Sequence, residues 1–250
     1  MDYSVLVEMV KNGETLSAWQ SFYYNFYKAF IEGGRWQLYL RGIGSTLEVT
    51  VLALILGVIL GVLVAVVRTT YDQQVRHNPI LGLFNIICKI YTTVIRGTPM
   101  MVQLLILGFV VFSNSRNFTM VGAFGLGLNS GAYVSEIVRG GLMAVDKGQT
   151  EAGRSLGLNY IETMWFIIIP QAFRDILPSL GNEFITLFKD TALISVIGGK
   201  ELVYAAKAVG AKTYSVMYPY IGIAVVYLVL VIIFSRLQSK LERRLRNSEH

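Results

Sequence analysis

The feature that most constrains this chain is a long apolar segment that begins at residue 43 and ends at residue 67. It is 25 residues long and contains a single charged side chain, Glu48. An α-helix needs about 20 apolar residues to cross the roughly 30 Å hydrocarbon core of a bilayer, so this segment can cross with some tilt. Because lipid cannot satisfy backbone polar groups, the crossing must be helical. We therefore predict an all-α integral membrane protein.

The overall composition agrees with this class. Hydrophobic residues make up 54% of the chain and charged residues 15%, whereas about a quarter of an ordinary globular domain is charged. The single cysteine, Cys88, excludes an internal disulfide and a cysteine metal cluster. The chain has two histidines and lacks the HExxH, GxSxG, GxxxxGK and CxxC motifs. We therefore predict no catalytic centre, cofactor or metal site in this chain.

The net charge of +6 raises the question of a nucleic-acid partner. Five of the 22 Lys and Arg residues lie in the final fifteen positions, directly after an apolar run. Basic clusters beside a membrane span orient the protein or contact anionic lipid. We predict contact with membrane lipid and no binding of nucleic acid.

The apolar pattern divides the chain into an extension, a membrane domain and a tail. Residues 1–42 are rich in aromatic side chains, which is typical of an amphipathic segment at the membrane interface. Residues 43–236 form the predicted membrane domain, and residues 237–250 form a basic tail. The five predicted spans cover residues 43–67, 81–112, 120–145, 165–197 and 217–234. The odd number and the basic tail favour an external N-terminus and a cytoplasmic C-terminus.

Two of these spans carry residues that interrupt helices. Pro99 lacks a backbone donor and restricts Thr98, so the second span should bend there. In the fourth span, Pro170, Pro178 and Gly181 predict further interruptions. A short amphipathic helix over residues 200–212 is expected before the fifth span.

A polar segment over residues 146–165 separates the third and fourth spans. Its small residues would allow a short helix to seat in a groove of a partner, and Gly157 would end that helix by adopting a positive φ. Asp146 and Gln149 have the spacing of a capping box. An ordinary capped surface helix would show the same features, so spacing alone leaves both interpretations open.

The residues of this segment resemble the EAA loop of bacterial ABC importer permeases. That loop has the pattern E-A-A, three residues, G, nine residues, I-x-L-P, and here Gly153 replaces the second Ala and Ile169 replaces the Leu. Further motifs of the same family occur in order, namely Ser45-Thr46-Leu47-Glu48, Arg96-Gly97-Thr98-Pro99, Glu136-Ile137-Val138-Arg139-Gly140-Gly141, Pro178-Ser179-Leu180-Gly181-Asn182-Glu183-Phe184 and Lys189-Asp190-Thr191. Over roughly residues 40–235 the chain resembles a permease subunit of the polar amino-acid branch, the histidine, glutamine and arginine type.

The resemblance implies a five-span type I ABC importer permease in a bacterial inner membrane. Its implied partners are two ATP-binding cassette subunits that hold ATP and Mg²⁺, a second permease that is identical or paralogous, and an external solute-binding protein. The amino acid would pass between the permeases. The implied contacts to the ATPase are Glu151, Ala152, Gly153, Ser155, Leu156 and Gly157.

Polar residues at membrane depth suggest where the amino acid binds. A lone carboxylate in a span is costly unless it meets a cavity or a cationic partner, so Glu183 is the principal candidate. The predicted lining is completed by Asn182, Asn129, Tyr133, Glu136, Thr98 and Gln103. An acidic lining would favour a basic amino acid. Alternatively, Glu183 bonds backbone freed by Pro178, or pairs with Arg174 or Lys189.

A transporter driven by an ion gradient, or a channel subunit, is the main alternative function. Its proton relay would use the intramembrane acids Glu48, Glu136, Glu183 and Asp190. No inverted repeat is evident, and the docking segment argues against this class. A membrane scaffold without a pathway is the third interpretation.

Overall fold

The computed structural model describes residues 2–74 and 78–246, and every regular element in these ranges is helical. The helices are α1 (Tyr3–Lys11), α2 (Ala18–Phe30), α3 (Trp36–Asp72), α4 (Pro79–Gly97), α5 (Met100–Ile106), α6 (Phe118–Ala144), α7 (Lys147–Ser155), α8 (Tyr160–Thr163), α9 (Ile169–Asp190), α10 (Leu202–Thr213) and α11 (Met217–Arg246). Short 3-10 or π turns occupy Glu32–Gly34, Leu107–Val111, Met164–Ile168 and Thr191–Ile197. The predicted all-α fold is confirmed. Residues 75–77 of the expected polar loop and 247–250 of the basic tail lie outside the described ranges.

The first long helix crosses the predicted boundary between the extension and the membrane domain. Helix α3 begins at Trp36, because the positive φ values of Gly33 and Gly34 (61° and 70°) interrupt the helical backbone just before it. Gly42 does not break the helix, and it packs against the backbone of Leu202. Residues 36–42 are therefore the first turns of the spanning helix, which also extends past residue 67 to Asp72.

Among the described residues, α3 and α6 make the most extensive contact between any two helices. A Cβ added at Gly57 would lie 2.7 Å from Ser130 Oγ, and one added at Gly61 would lie 2.6 Å from Val134 Cβ. On the facing helix, a Cβ at Gly127 would meet Leu56. The small-residue spacing of Gly57 and Gly61 therefore serves close helix packing, as predicted. We call this contact the α3–α6 seam.

The second predicted span is two helices separated by a break. Thr98 is extended (φ −118°, ψ 147°) and Pro99 begins the next helix, so the predicted bend is confirmed. Most of α4 is exposed, with Asn85 and Thr92 its buried residues. We call α4 and α5 together the α4–α5 arm.

The fourth segment is more continuous than predicted. Pro170 lies in the first turn of α9, directly after the π turn Met164–Ile168, and the helix then runs through Pro178 and Gly181 to Asp190. The predicted interruption at Pro178 and Gly181 is therefore wrong. The Gln238 amide on α11 donates to the Pro178 carbonyl at 3.2 Å, which joins α11 to α9.

Three helices in the described ranges are long and apolar enough to cross a membrane on their own, namely α3, α4 and the part of α11 over Met217–Leu245. Helix α6 has 27 residues, which is enough length, but glycines and polar residues dilute its apolar ones. Thirteen of its 27 residues are buried within this subunit. The five-span count stays a prediction.

Candidate functional site

One face of α7 is exposed and carries most of the predicted ATPase contacts. Glu151, Ala152, Ser155 and Leu156 are all exposed, and their spacing places them on adjacent sides of the helix. Leu156 is 79% exposed, which is unusual for a large apolar side chain on a polar helix. Gly157 follows with a φ of 82°, as predicted, and ends the helix.

Gly153 does not belong to this exposed face. It is buried, and a Cβ added there would lie 2.8 Å from Thr163 Cγ2. Its small size therefore lets α7 pack on the segment that follows, and the expectation that Gly153 faces a partner is not supported by this arrangement. A neighbouring residue on the helix points about 100° away, which is why Ala152 is exposed and Gly153 is not.

The caps of the docking segment also differ in part from the prediction. Asp146 accepts from the Gly148 N–H at 2.7 Å, but the Gln149 side chain accepts from Gln171 instead of closing a capping box. The reciprocal capping box forms one helix later, between Asn159 and Glu162.

A line of polar side chains runs along the break between α4 and α5 and the facing side of α6. The Gln103 amide donates to Thr98 Oγ1 at 2.8 Å, and Asn129 donates to Gln103 Oε1 at 3.2 Å. Tyr133, one turn further along α6, is 40% exposed and lies under the Arg96 guanidinium at 5.3 Å. We call Thr98, Gln103, Asn129, Tyr133 and Arg96 the polar strip.

Glu183 lies on a different side of α6 from the polar strip. Its Oε1 accepts from Ser130 Oγ at 2.7 Å, and none of the described ion pairs joins it to Arg174 or Lys189. Ser130 is next to Asn129, so Glu183 approaches the strip from the α9 side. Asn182 is exposed, and no hydrogen bond among the described residues joins it to the strip.

Glu136 is not an open acidic lining residue. It pairs with Arg139 at 3.2 Å, as its spacing predicted, and also with Arg68 from α3. Arg96 Nη1 approaches the same carboxylate at 3.9 Å. The charge of Glu136 is therefore more than neutralised, which removes the reason to expect it to attract a cationic substrate.

Sequence reasoning missed Arg68, Arg96 and Ser130. Arg68 and Ser130 each contact a residue that is far away in sequence. Arg96 belongs to the Arg96–Pro99 motif, from which only the bend at the proline was predicted. The available signal was that Arg68 and Arg96 both end apolar runs, where a cation needs a partner or water.

Comparison with known proteins places this geometry in a family. Residues 57–247 match the family described as "Binding-protein-dependent transport system inner membrane component". A putative glutamine transport system permease protein GlnP of Rickettsia bellii is 41% identical over 203 residues, covering 80% of this chain and 89% of that protein. The arginine transport system permease protein ArtQ of Bacillus subtilis is 40% identical over 187 residues, covering 68% and 84%.

Solved structures show the same fold. A crystal structure of an amino acid ABC transporter with histidines is 38% identical, covers 92% of this chain and 99% of that one, and has a TM-score of 0.76. The MetNI methionine ABC transporter, at 19% identity and a TM-score of 0.73, is similar in fold alone. The chain belongs to the binding-protein-dependent transport system inner membrane components, and it is a non-enzymatic permease subunit of an amino-acid ABC transporter.

Proposed function

We propose that this subunit imports a polar amino acid and is driven by ATP hydrolysis in two partner subunits that dock on α7. The exposed Leu156, beside Glu151, Ala152 and Ser155, is the observation that carries this proposal. An apolar side chain on the exposed end of a polar helix is stabilised when a partner buries it. The partner subunits hold ATP and Mg²⁺, and this chain holds neither.

The coupling follows from how α7 is attached. Gly153 packs against Thr163, and the π turn Met164–Ile168 continues from there into α9. A displacement of the docked helix is therefore passed to α9, which carries Glu183. Nucleotide-driven closure of the ATPase pair would bias the pathway between inward-open and outward-open states.

The polar strip and Glu183 are the proposed path of the amino acid between this permease and a second one, identical or paralogous. Relatives are named for glutamine, arginine and cystine transport, so a polar amino acid is the substrate class. The Glu183 carboxylate favours an α-ammonium group or a basic side chain. An external solute-binding protein delivers the substrate.

The proposed orientation has an external N-terminus and a cytoplasmic C-terminus. The basic residues of α11 beyond Phe234 support a cytoplasmic end. Single cysteines at Ser115 and Ser239, in a Cys88→Ser background, should react with an impermeant thiol reagent from opposite sides. Reaction of both from outside would exclude this orientation.

The energy source separates this function from a transporter driven by an ion gradient. The complex with its ATPase and binding protein is reconstituted in liposomes, and amino-acid uptake is measured with ATP and with an imposed proton gradient. We expect uptake that requires ATP and resists a protonophore. Uptake that follows the proton gradient without ATP would instead support a relay through the intramembrane acids.

Glu183→Gln tests the substrate path while keeping the size of the side chain. Ser130 can still donate to the amide oxygen, so assembly should be intact. Loss of a charged hydrogen bond should weaken binding of a basic amino acid by about 1.5–3 kcal/mol. Unchanged affinity in the assembled complex would remove Glu183 from the path.

A further inference from the structure

We infer that Arg68, Arg96 and Arg139 form an anion-binding station that receives the carboxylate of the amino acid at one end of the polar strip. The inference rests on the proposed function and adds a second contact point to it. The three guanidinium groups come from three helices, α3, α4 and α6, and converge on Glu136.

The charges at this point do not balance. Three guanidinium groups surround one carboxylate, and the described ion pairs give these arginines no other acid. Two positive charges are therefore left over in this cluster. Unpaired charge is costly away from bulk water, so an additional anion would stabilise the cluster.

The hydrogen bonds are incomplete as well. Arg68 Nε and Arg139 Nε are buried, and neither has a hydrogen-bond partner among the described residues. Arginine presents its donors as a planar fork that matches a carboxylate or phosphate in a bidentate pair. The cluster thus has both the charge and the donors for one more oxyanion.

Arg96 makes the station accessible. Its side chain is 43% exposed, compared with 15% for Arg68 and 28% for Arg139. It lies over the Tyr133 ring, one helical turn from Asn129, and two residues before the break at Thr98. A ligand that moves along the polar strip reaches Arg96 before it reaches the two less exposed arginines.

An amino acid has one charged group for the arginine cluster and one for Glu183. Every α-amino acid carries a carboxylate and an ammonium group. Glu183 contacts Ser130, which lies six residues before Glu136 on α6, so a carboxylate and the arginine cluster lie along the same helix. The arginine station explains how the site binds amino acids with different side chains, since it reads the group that they share. The phosphate of an anionic lipid has similar chemistry, and the experiment separates the two.

The test compares amino acids with their α-amides, which lack the carboxylate. Radiolabelled L-glutamine, L-arginine and L-histidine, with their α-amides as competitors, are bound to the purified complex in nanodiscs of phosphatidylcholine. The variant is Arg96→Gln, since Arg96 is the most exposed of the three. Arg116→Gln, an exposed arginine of the Ser113–Asn117 loop, is the matched control.

We expect the native complex to prefer at least one amino acid over its amide by about tenfold or more, which corresponds to about 1.4 kcal/mol. Arg96→Gln should abolish this preference by weakening the acid alone, and Arg116→Gln should leave it unchanged. Arg96→Lys should retain part of it, because the charge stays while the fork is lost.

An acid-to-amide preference that is unchanged in Arg96→Gln would overturn the station. If, in addition, ATPase activity of the native complex depends on phosphatidylglycerol and Arg96→Gln removes that dependence, the cluster is a lipid site. If no amino acid binds to the native complex, the proposed function fails rather than the station.

Discussion

The α3–α6 seam and the α4–α5 arm are neighbouring regions that differ in how much of their surface is buried within this subunit. In the apolar stretch of α3 a third of the residues are buried within this subunit, against 11% in that of α4. The seam brings backbones together through glycines, whereas the arm is broken at Pro99 and exposes apolar and polar side chains. Internal packing thus accounts for the seam, and only partners, lipid or substrate can account for the arm.

The largest expected effect comes from adding bulk to the seam. Gly61→Val would push methyl groups into Val134 and the Ser135 backbone nitrogen, which lies 2.9 Å from the added Cβ. Backbone cannot move aside as a side chain can, so the cost should exceed about 3 kcal/mol. We expect loss of the folded, monodisperse protein in size-exclusion chromatography. The control is Gly44→Val on the same helix, which has open space. Equal behaviour of the two variants would show that the seam is not tightly packed.

A buried carboxyl group near the start of α3 gives the next effect. Glu201 lies between the spanning segments, is 1% exposed and caps α10 through the Val203 and Tyr204 N–H groups. Burial raises the pKa of Glu201 to about 7 from its ordinary 4.5, although those two N–H groups, Tyr227 and Lys207 oppose the rise.

The folded state therefore binds more protons than the unfolded state between about pH 4.5 and pH 7. Stability from this group is fully present below pH 4.5 and falls by roughly 3 kcal/mol as the pH rises through 7. The melting temperature of the native protein should therefore fall between pH 4.5 and pH 7. In Glu201→Gln this contribution to the pH dependence should be absent. Parallel pH profiles of the native protein and the variant would contradict the assignment.

A smaller effect is expected where α7 ends. Gly157→Val forces a β-branched residue to a φ of 82° with no neighbour within 4 Å, so its cost is backbone strain of about 1–2 kcal/mol. We expect weaker association with the ATPase in a pull-down, with membrane insertion preserved. Gly13→Val is matched, because Gly13 has a φ of 76° and equally open surroundings in the extension. Full ATPase association in Gly157→Val would count against coupling through α7.

The smallest effect is spectroscopic and concerns the N-terminal extension. Trp19, Phe22 and Phe26 are exposed along α2, and Phe22 lies 6.1 Å from the Tyr218 ring at the start of α11. We expect Trp19, in a Trp36→Phe and Trp165→Phe background, to be quenched by brominated lipid. Quenching by aqueous acrylamide alone would place α2 in water rather than at the membrane interface.

Sequence reasoning succeeded where the determining contacts are local. The positive φ of Gly157, the bend at Pro99 and the pair of Glu136 and Arg139 follow from neighbours along the chain. The close packing of Gly57 also followed from its spacing to the next glycine.

It failed where residues far apart in sequence meet. Arg68 reaches Glu136 across 68 positions, and Gln238 reaches the Pro178 carbonyl across 60, so neither contact could be read from a local pattern. Because of the contact with Arg68, Glu136 is the centre of a cationic cluster and not the open acidic lining residue that was predicted. Five of the six predicted contact residues at α7 are exposed, and Gly153 is buried. The spacing of the motif did not show which side of the helix Gly153 faces.

Protection of a cysteine within the polar strip tests whether this strip binds the amino acid. Thr98→Cys and Ser113→Cys, each in a Cys88→Ser background, are placed in the complete complex, and their rates of reaction with a water-soluble thiol reagent are measured with and without bound amino acid. We predict that the amino acid slows labelling at position 98 and leaves position 113 unchanged. Equal rates at position 98 under conditions where binding is demonstrated would contradict the account.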